Sequence, residues 1–124
     1  MKIPKILICE DDTMTLKALE HRLKKDGYEI VTAQNGKEAS QLIRTEEFDL
    51  VLSDIHMPYI TGLELIELIR NELKLHVPIV MVTRVGLEDT VLEAFELGAG
   101  DYVTKPFSPD ELSLRVKRAF LKNK

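Results

Sequence analysis

A disulfide cannot form within this chain, because its 124 residues include only one cysteine, Cys9. Cys9 closes the apolar run Ile6-Leu7-Ile8-Cys9. It reads there as a small buried hydrophobe rather than a reactive thiol, and a reducing, cytoplasmic setting is the expectation. Long hydrophobic runs are also missing. No stretch approaches a membrane span, and the run behind Lys2 and Lys5 is too short for a signal peptide and meets acids at once. An excess of positive charge is lacking too, since 17 Lys and Arg face 21 Asp and Glu for a net charge of −4. Direct nucleic-acid binding and membrane-surface binding both want a basic face, so neither is expected. The basic segment at the end (Arg115, Lys117, Arg118, Lys122, Lys124) reads as a solvated helix face.

What remains is a composition of 44% hydrophobic and 31% charged residues, that of one globular domain over residues 1–124. Its apolar pattern alternates between short runs and helical periods. Strands are expected at Ile6–Cys9, Tyr28–Ala33, Phe48–Ser53, Val77–Val82 and Asp101–Thr104. Helices are expected between them: from Met14 to Lys25, around Ala39-Leu42-Ile43, from Leu63 to Leu73, around Val91 to Leu97, and from Pro109 onward behind a Ser108 cap. Gly27 and Gly98 stand where helices stop, and Asn35-Gly36 marks a turn. Five strands alternating with five helices imply an α/β fold, a parallel sheet covered on both faces. Ligands of such sheets bind beyond the carboxyl ends of the strands.

Those ends carry the chemistry. The first strand runs into Glu10-Asp11-Asp12, the third into Asp54, the fourth into Thr83 and the fifth into Lys105-Pro106. Clustered carboxylates repel unless a cation joins them. An oxygen-only site with few carboxylates suits Mg²⁺, which keeps several waters and shares phosphates. A carboxylate can accept a phosphoryl group, and phosphoryl transfer needs mostly positioning and charge neutralisation. Asp54 is thus the expected acceptor, with Lys105 and Thr83 binding the phosphoryl oxygens.

Ile6 to Asp12, Asp54-Ile55-His56-Met57-Pro58, Thr83 and Tyr102-Val103-Thr104-Lys105-Pro106-Phe107 together resemble the receiver domain of bacterial two-component response regulators, over essentially the whole chain. The resemblance implies a flavodoxin-like sheet of strand order 2-1-3-4-5. It implies that Asp54 takes a phosphoryl group from the phosphohistidine of a sensor histidine kinase or phosphotransfer protein in a phosphorelay. Asp12, Asp54 and the main-chain carbonyl of His56 would coordinate Mg²⁺, with Asp11 holding its water shell. Lys105 would pair with the phosphate, Thr83 would move onto it, and Tyr102 would rotate inward. The face made by the fourth helix, fifth strand and fifth helix would then change for an output domain or downstream partner. The domain would catalyse only its own phosphorylation and dephosphorylation. Lys105-Pro106 resembles the family's cis bond.

Other chemistries fit less well. A haloacid-dehalogenase-type phosphohydrolase wants a second Asp two residues after its nucleophile, where this chain has His56. A flavodoxin wants a Ser/Thr/Gly-rich phosphate loop where Glu10-Asp11-Asp12 stands. A docking module that is never phosphorylated would not need the acceptor, the lysine and the acids, all of which are present. Three departures from the family pattern stand out. Arg84 follows Thr83 where a small residue is usual, Gly100 replaces a second acid, and Thr90 and Leu92 stand where DNA-binding relatives carry a basic residue on the fourth helix. The unphosphorylated chain is accordingly expected to be a monomer. It would act alone or as a piece of a longer regulator.

Overall fold

The computed structural model describes residues 2–122. Five strands, β1 (Lys5–Cys9), β2 (Glu29–Ala33), β3 (Leu50–Asp54), β4 (Ile79–Arg84) and β5 (Asp101–Lys105), alternate with α1 (Thr13–Lys25), α2 (Gly36–Thr45), α3 (Gly62–Glu67), α4 (Glu88–Leu97) and α5 (Pro109–Lys122). The strands form one parallel sheet in the order β2-β1-β3-β4-β5, as the resemblance implies. Of the basic residues noted at the chain's end, Lys124 lies outside the described residues.

Strand periodicity divides the interior in two. Leu7, Cys9, Val51 and Met81 face Ala39, Ile43, Leu65, Ile69, Val91 and Ala94 of α2, α3 and α4 and the turn that follows α3. Ile6, Ile8, Leu52, Val80 and Val82 face Leu16, Leu19 and Leu23 of α1 and Leu112 and Val116 of α5. A parallel sheet covered on both sides needs this unbroken run of β-branched and aliphatic residues. Each fully buried leucine, such as Leu19, contributes roughly 1.5–3 kcal/mol relative to exposure.

The expected elements all form, with shifted ends. Asp54 and Lys105 close β3 and β5 as their last residues, and β4 starts at Ile79, after Pro78 rather than through it. Ser108 does receive the Glu111 N–H at the start of α5. The third helix is the exception. It is α-helical only to Glu67, and Leu68–Glu72 form a π-helical turn in which the Leu73 N–H bonds the Leu68 carbonyl. Lys74, at φ 54, then turns the chain toward β4.

Candidate functional site

The carboxyl ends of β1, β3, β4 and β5 lie side by side, because the parallel register pairs Cys9 with Ser53, Asp54 with Val82 and Arg84 with Lys105. Asp54 is 8% exposed at the end of the central strand. Its Oδ2 accepts from Lys105 Nζ at 3.2 Å and its Oδ1 from the His56 N–H at 3.4 Å. Behind Asp54 the chain turns tightly into α3. The Gly62 N–H bonds the Ile55 carbonyl at 2.7 Å, and a Cβ on Gly62 would stand 2.3 Å from the Asp54 carbonyl oxygen. Only glycine allows α3 to start this close to the end of β3.

Lys105 is shared. Its Nζ lies 2.7 Å from Glu10 Oε1 as well as 3.2 Å from Asp54. Burial would lower the Lys105 pKa, but the Glu10 hydrogen bond and the two carboxylate charges outweigh it and hold the ammonium above its usual value. Glu10 is completely buried. Burial pushes its carboxyl up to about 7, with Asp54 adding to the effect and Lys105 and the Asp12 N–H opposing it. Glu10, Asp11 and Asp54 each offer a carboxylate oxygen within 4.8 Å of the others.

Asp12 is not part of that group, contrary to expectation. It is the N-cap of α1, its Oδ2 accepting from both the Thr15 N–H at 3.0 Å and the Thr15 hydroxyl at 2.5 Å. Those bonds hold its carboxyl below the ordinary value. The third carboxylate of the group is Glu10, to which the resemblance assigns no role. Glu10 directly follows the last residue of β1 and is still buried in the sheet layer, whereas Asp12 stands where the helix needs an acceptor directly before its first turn. That requirement was readable in the sequence, since Asp12 precedes the amphipathic stretch.

Thr83 is buried at the end of β4, its hydroxyl donating to the Arg84 carbonyl at 3.3 Å. Arg84 is exposed. Tyr102 is half-buried, edge-on to Phe95 with ring centroids 6.0 Å apart. The Lys105–Pro106 bond is cis. His21 and His76 take no part in the group.

The family model of the response regulator receiver domain matches residues 6–117. The chain belongs to that family. Among solved structures, the receiver superposes on a response regulator from Chloroflexus aurantiacus with a TM-score of 0.91 at 37% identity, over 97% of this chain and 99% of the other. It also superposes on the chemotaxis response regulator CheY4 of Vibrio cholerae with a TM-score of 0.89 at 30% identity, over 95% and 99%. Among curated proteins it is 40% identical to the transcriptional regulatory protein CrdR of Helicobacter pylori over 94% of this chain and 54% of that protein. It is likewise 40% identical to the alkaline phosphatase synthesis transcriptional regulatory protein PhoP of Bacillus subtilis, over 91% and 47%. The receiver thus spans about half the length of these curated relatives. It is a two-component signalling domain, a switch rather than an enzyme with an external product. No helix among the described residues is long and apolar enough to cross a membrane.

Proposed function

We propose that Asp54 is the phosphoryl acceptor and that the donor is the phosphohistidine of a sensor histidine kinase or phosphotransfer protein. The observation that carries this reading is the Asp54 carboxylate itself, held at the end of the central strand by Lys105 with Glu10 and Asp11 beside it. One carboxylate oxygen attacks phosphorus, the phosphorus–nitrogen bond breaks, and the imidazole leaves with the electron pair and regains a proton. Asp54 needs no general base, since its carboxylate is already the nucleophile.

Three carboxylates against one ammonium leave a formal charge of −2, and the donors are all oxygens. That set fits Mg²⁺. Asp11, Asp54 and the His56 carbonyl would hold it, with Glu10 supporting from behind. Bound there, the ion would neutralise oxygens of the incoming phosphoryl group. Lys105 then exchanges one carboxylate partner for a phosphoryl oxygen. The Thr83 hydroxyl leaves the Arg84 carbonyl for another, and Tyr102 follows into the space released. Phosphorylation adds about 1.5 to 2 negative charges and three strong acceptors. The switch can therefore act through differential bonding at these residues. Its readout would be the face of α4, β5 and α5, offered to an output domain or partner. Autophosphorylation from small donors and autodephosphorylation belong to the same proposal. So does a cytoplasmic location, which suits a chain whose single thiol is buried.

Three large apolar side chains stand exposed on the rim: Met14 at 82%, Tyr59 at 79% and Val85 at 76%. They lie at the start of α1 and on the loops after β3 and β4, around Asp54. An apolar rim of this kind supports docking of a protein donor. The deciding experiment is intact-mass measurement after incubation with a small phosphodonor and Mg²⁺. The parent should gain the mass of one phosphoryl group and Asp54→Asn none. A parent that gains nothing overturns the reading.

A further inference from the structure

At the sheet edge opposite the acids, a cleft of about 140 Å³ opens where the middle of the π-helical turn, the start of β4, the residue before β5 and the end of α5 meet. Its lining includes Arg70, His76, Ile79, Gly100, Ala119 and Lys122. Three of these residues are basic and none is acidic. Neither Arg70, His76 nor Lys122 forms an ion pair with a described residue.

Arg70 is the half-buried member. Its Nε and Nη2 donate to the Gly98 carbonyl at 3.1 and 2.9 Å, and its Nη1 to the Leu75 carbonyl at 2.9 Å. A guanidinium has five N–H donors, so two stay free beyond these three bonds. The carbonyl bonds fix the plane of the fork, and burial alone lowers the Arg70 pKa. Its charge is therefore partly desolvated and meets no carboxylate. Gly100 leaves the floor open: a Cβ there would meet only the Ile79 carbonyl oxygen, at 3.8 Å.

We propose that this cleft binds a small oxyanion, phosphate in the first instance. The free Arg70 donors supply charge-assisted bonds from an already oriented fork, and His76 and Lys122 close the site from the solvent side. Size sets the ligand class, because the volume is well below the roughly 300–1,000 Å³ of sites for drug-sized molecules. The phosphate is free, or it is the end group of a larger phosphomonoester whose remainder lies in solvent. The site is separate from Asp54 and owes nothing to the acceptor chemistry.

The test is a nuclear magnetic resonance titration of the full chain with sodium phosphate, without Mg²⁺ and against sodium chloride at matched ionic strength. Saturable shifts are expected at the Ile79 and Gly100 amides and at the Arg70 Nε–H, with no counterpart in chloride. His76→Glu, on an exposed side chain, and Gly100→Asp, which sets a carboxylate into the cleft, should each weaken binding about tenfold or more. A phosphomonoester such as glycerol phosphate that matches or exceeds phosphate indicates the end-group source; one that fails to bind indicates the free ion. Shifts linear in phosphate, shifts reproduced by chloride, or unchanged saturation in a folded His76→Glu overturn the proposal.

Discussion

Glu10 and Asp12 are separated by one residue and do different work. Glu10 is buried against Lys105, while Asp12 caps a helix in solvent. Replacing Glu10 by Gln should therefore weaken Mg²⁺ about 10- to 100-fold, the usual effect of losing a supporting partner behind a metal ligand. Asp12→Asn should leave it unchanged, because asparagine caps as well as aspartate. Calorimetric titration of both variants with Mg²⁺ checks the contrast, and equal losses would return Asp12 to the site. Arg84, exposed abreast of Lys105, is the residue whose consequence is kinetic. If its guanidinium holds the phosphoryl group, Arg84→Ala should shorten the acyl-phosphate lifetime about two- to fivefold, the factor given by an exposed pair of ~0.5–1 kcal/mol. Unchanged loading and decay would remove Arg84 from the account. At this scale the sequence made the placing of Asp54, Lys105 and Thr83 legible, since each stands at or next to the end of its strand. It concealed Glu10 because three consecutive acids leave open which of them points inward.

Among the elements, the stretch after β3 was the least legible. Leu65, Ile66, Ile69 and Leu73 satisfy a helical period, yet a pattern of apolar positions does not distinguish i→i+4 from i→i+5 bonding over one turn. The widened turn places Arg70 over the end of α4, where it bonds the Gly98 carbonyl. The start of α4 has no side-chain cap, its N-cap being Leu87. Arg70→Met should thus loosen α4 from its carboxyl end, with faster amide hydrogen exchange there and little change in α1. Equal exchange in parent and variant would show that packing alone holds α4. Gly62 has no such freedom to yield. A methyl group there meets backbone at 2.3 Å, so Gly62→Ala should cost about 1–3 kcal/mol in urea denaturation. Gly27, at φ 98 with nothing within 4 Å of its Cβ, should cost only about 1–2 kcal/mol as Gly27→Ala.

For the whole molecule, Asp101 links acidity to stability and to assembly. Burial works to raise its pKa, but bonds from Arg118 and the Tyr102 N–H, with the charge of Arg115, hold it below the ordinary carboxylate value. Folding therefore favours the ionised form. The stabilisation is complete above the unfolded-chain value of ~3.9 and disappears as pH falls through the lower folded value. Asp101→Asn should be less stable than the parent at pH 7 by about 1–3 kcal/mol, since Arg118 is half exposed. The gap should close in denaturation curves taken at progressively more acidic pH. The same bonds occupy Arg115 and Arg118 within the chain, and light scattering should accordingly find the unphosphorylated receiver monomeric. A stable dimer would contradict that. The fold class was legible at this scale, because alternation of strand and helix implies a parallel sheet covered on both faces, while the strand order came only from the resemblance to receiver domains. The Asp101 pairing was not legible, because it depends on how α5 lies across β5.

The sheet keeps the two halves of the interior from touching, so substitutions on the α1 and α5 side and on the α2, α3 and α4 side should behave as independent thermodynamic events. In evolutionary terms this is a separation of liabilities. A lineage can refit one flank to a new partner without searching again for a sequence that packs the other. The strand ends that hold Asp54 and Lys105 belong to the sheet and to neither helical flank, so such a refit need not alter them.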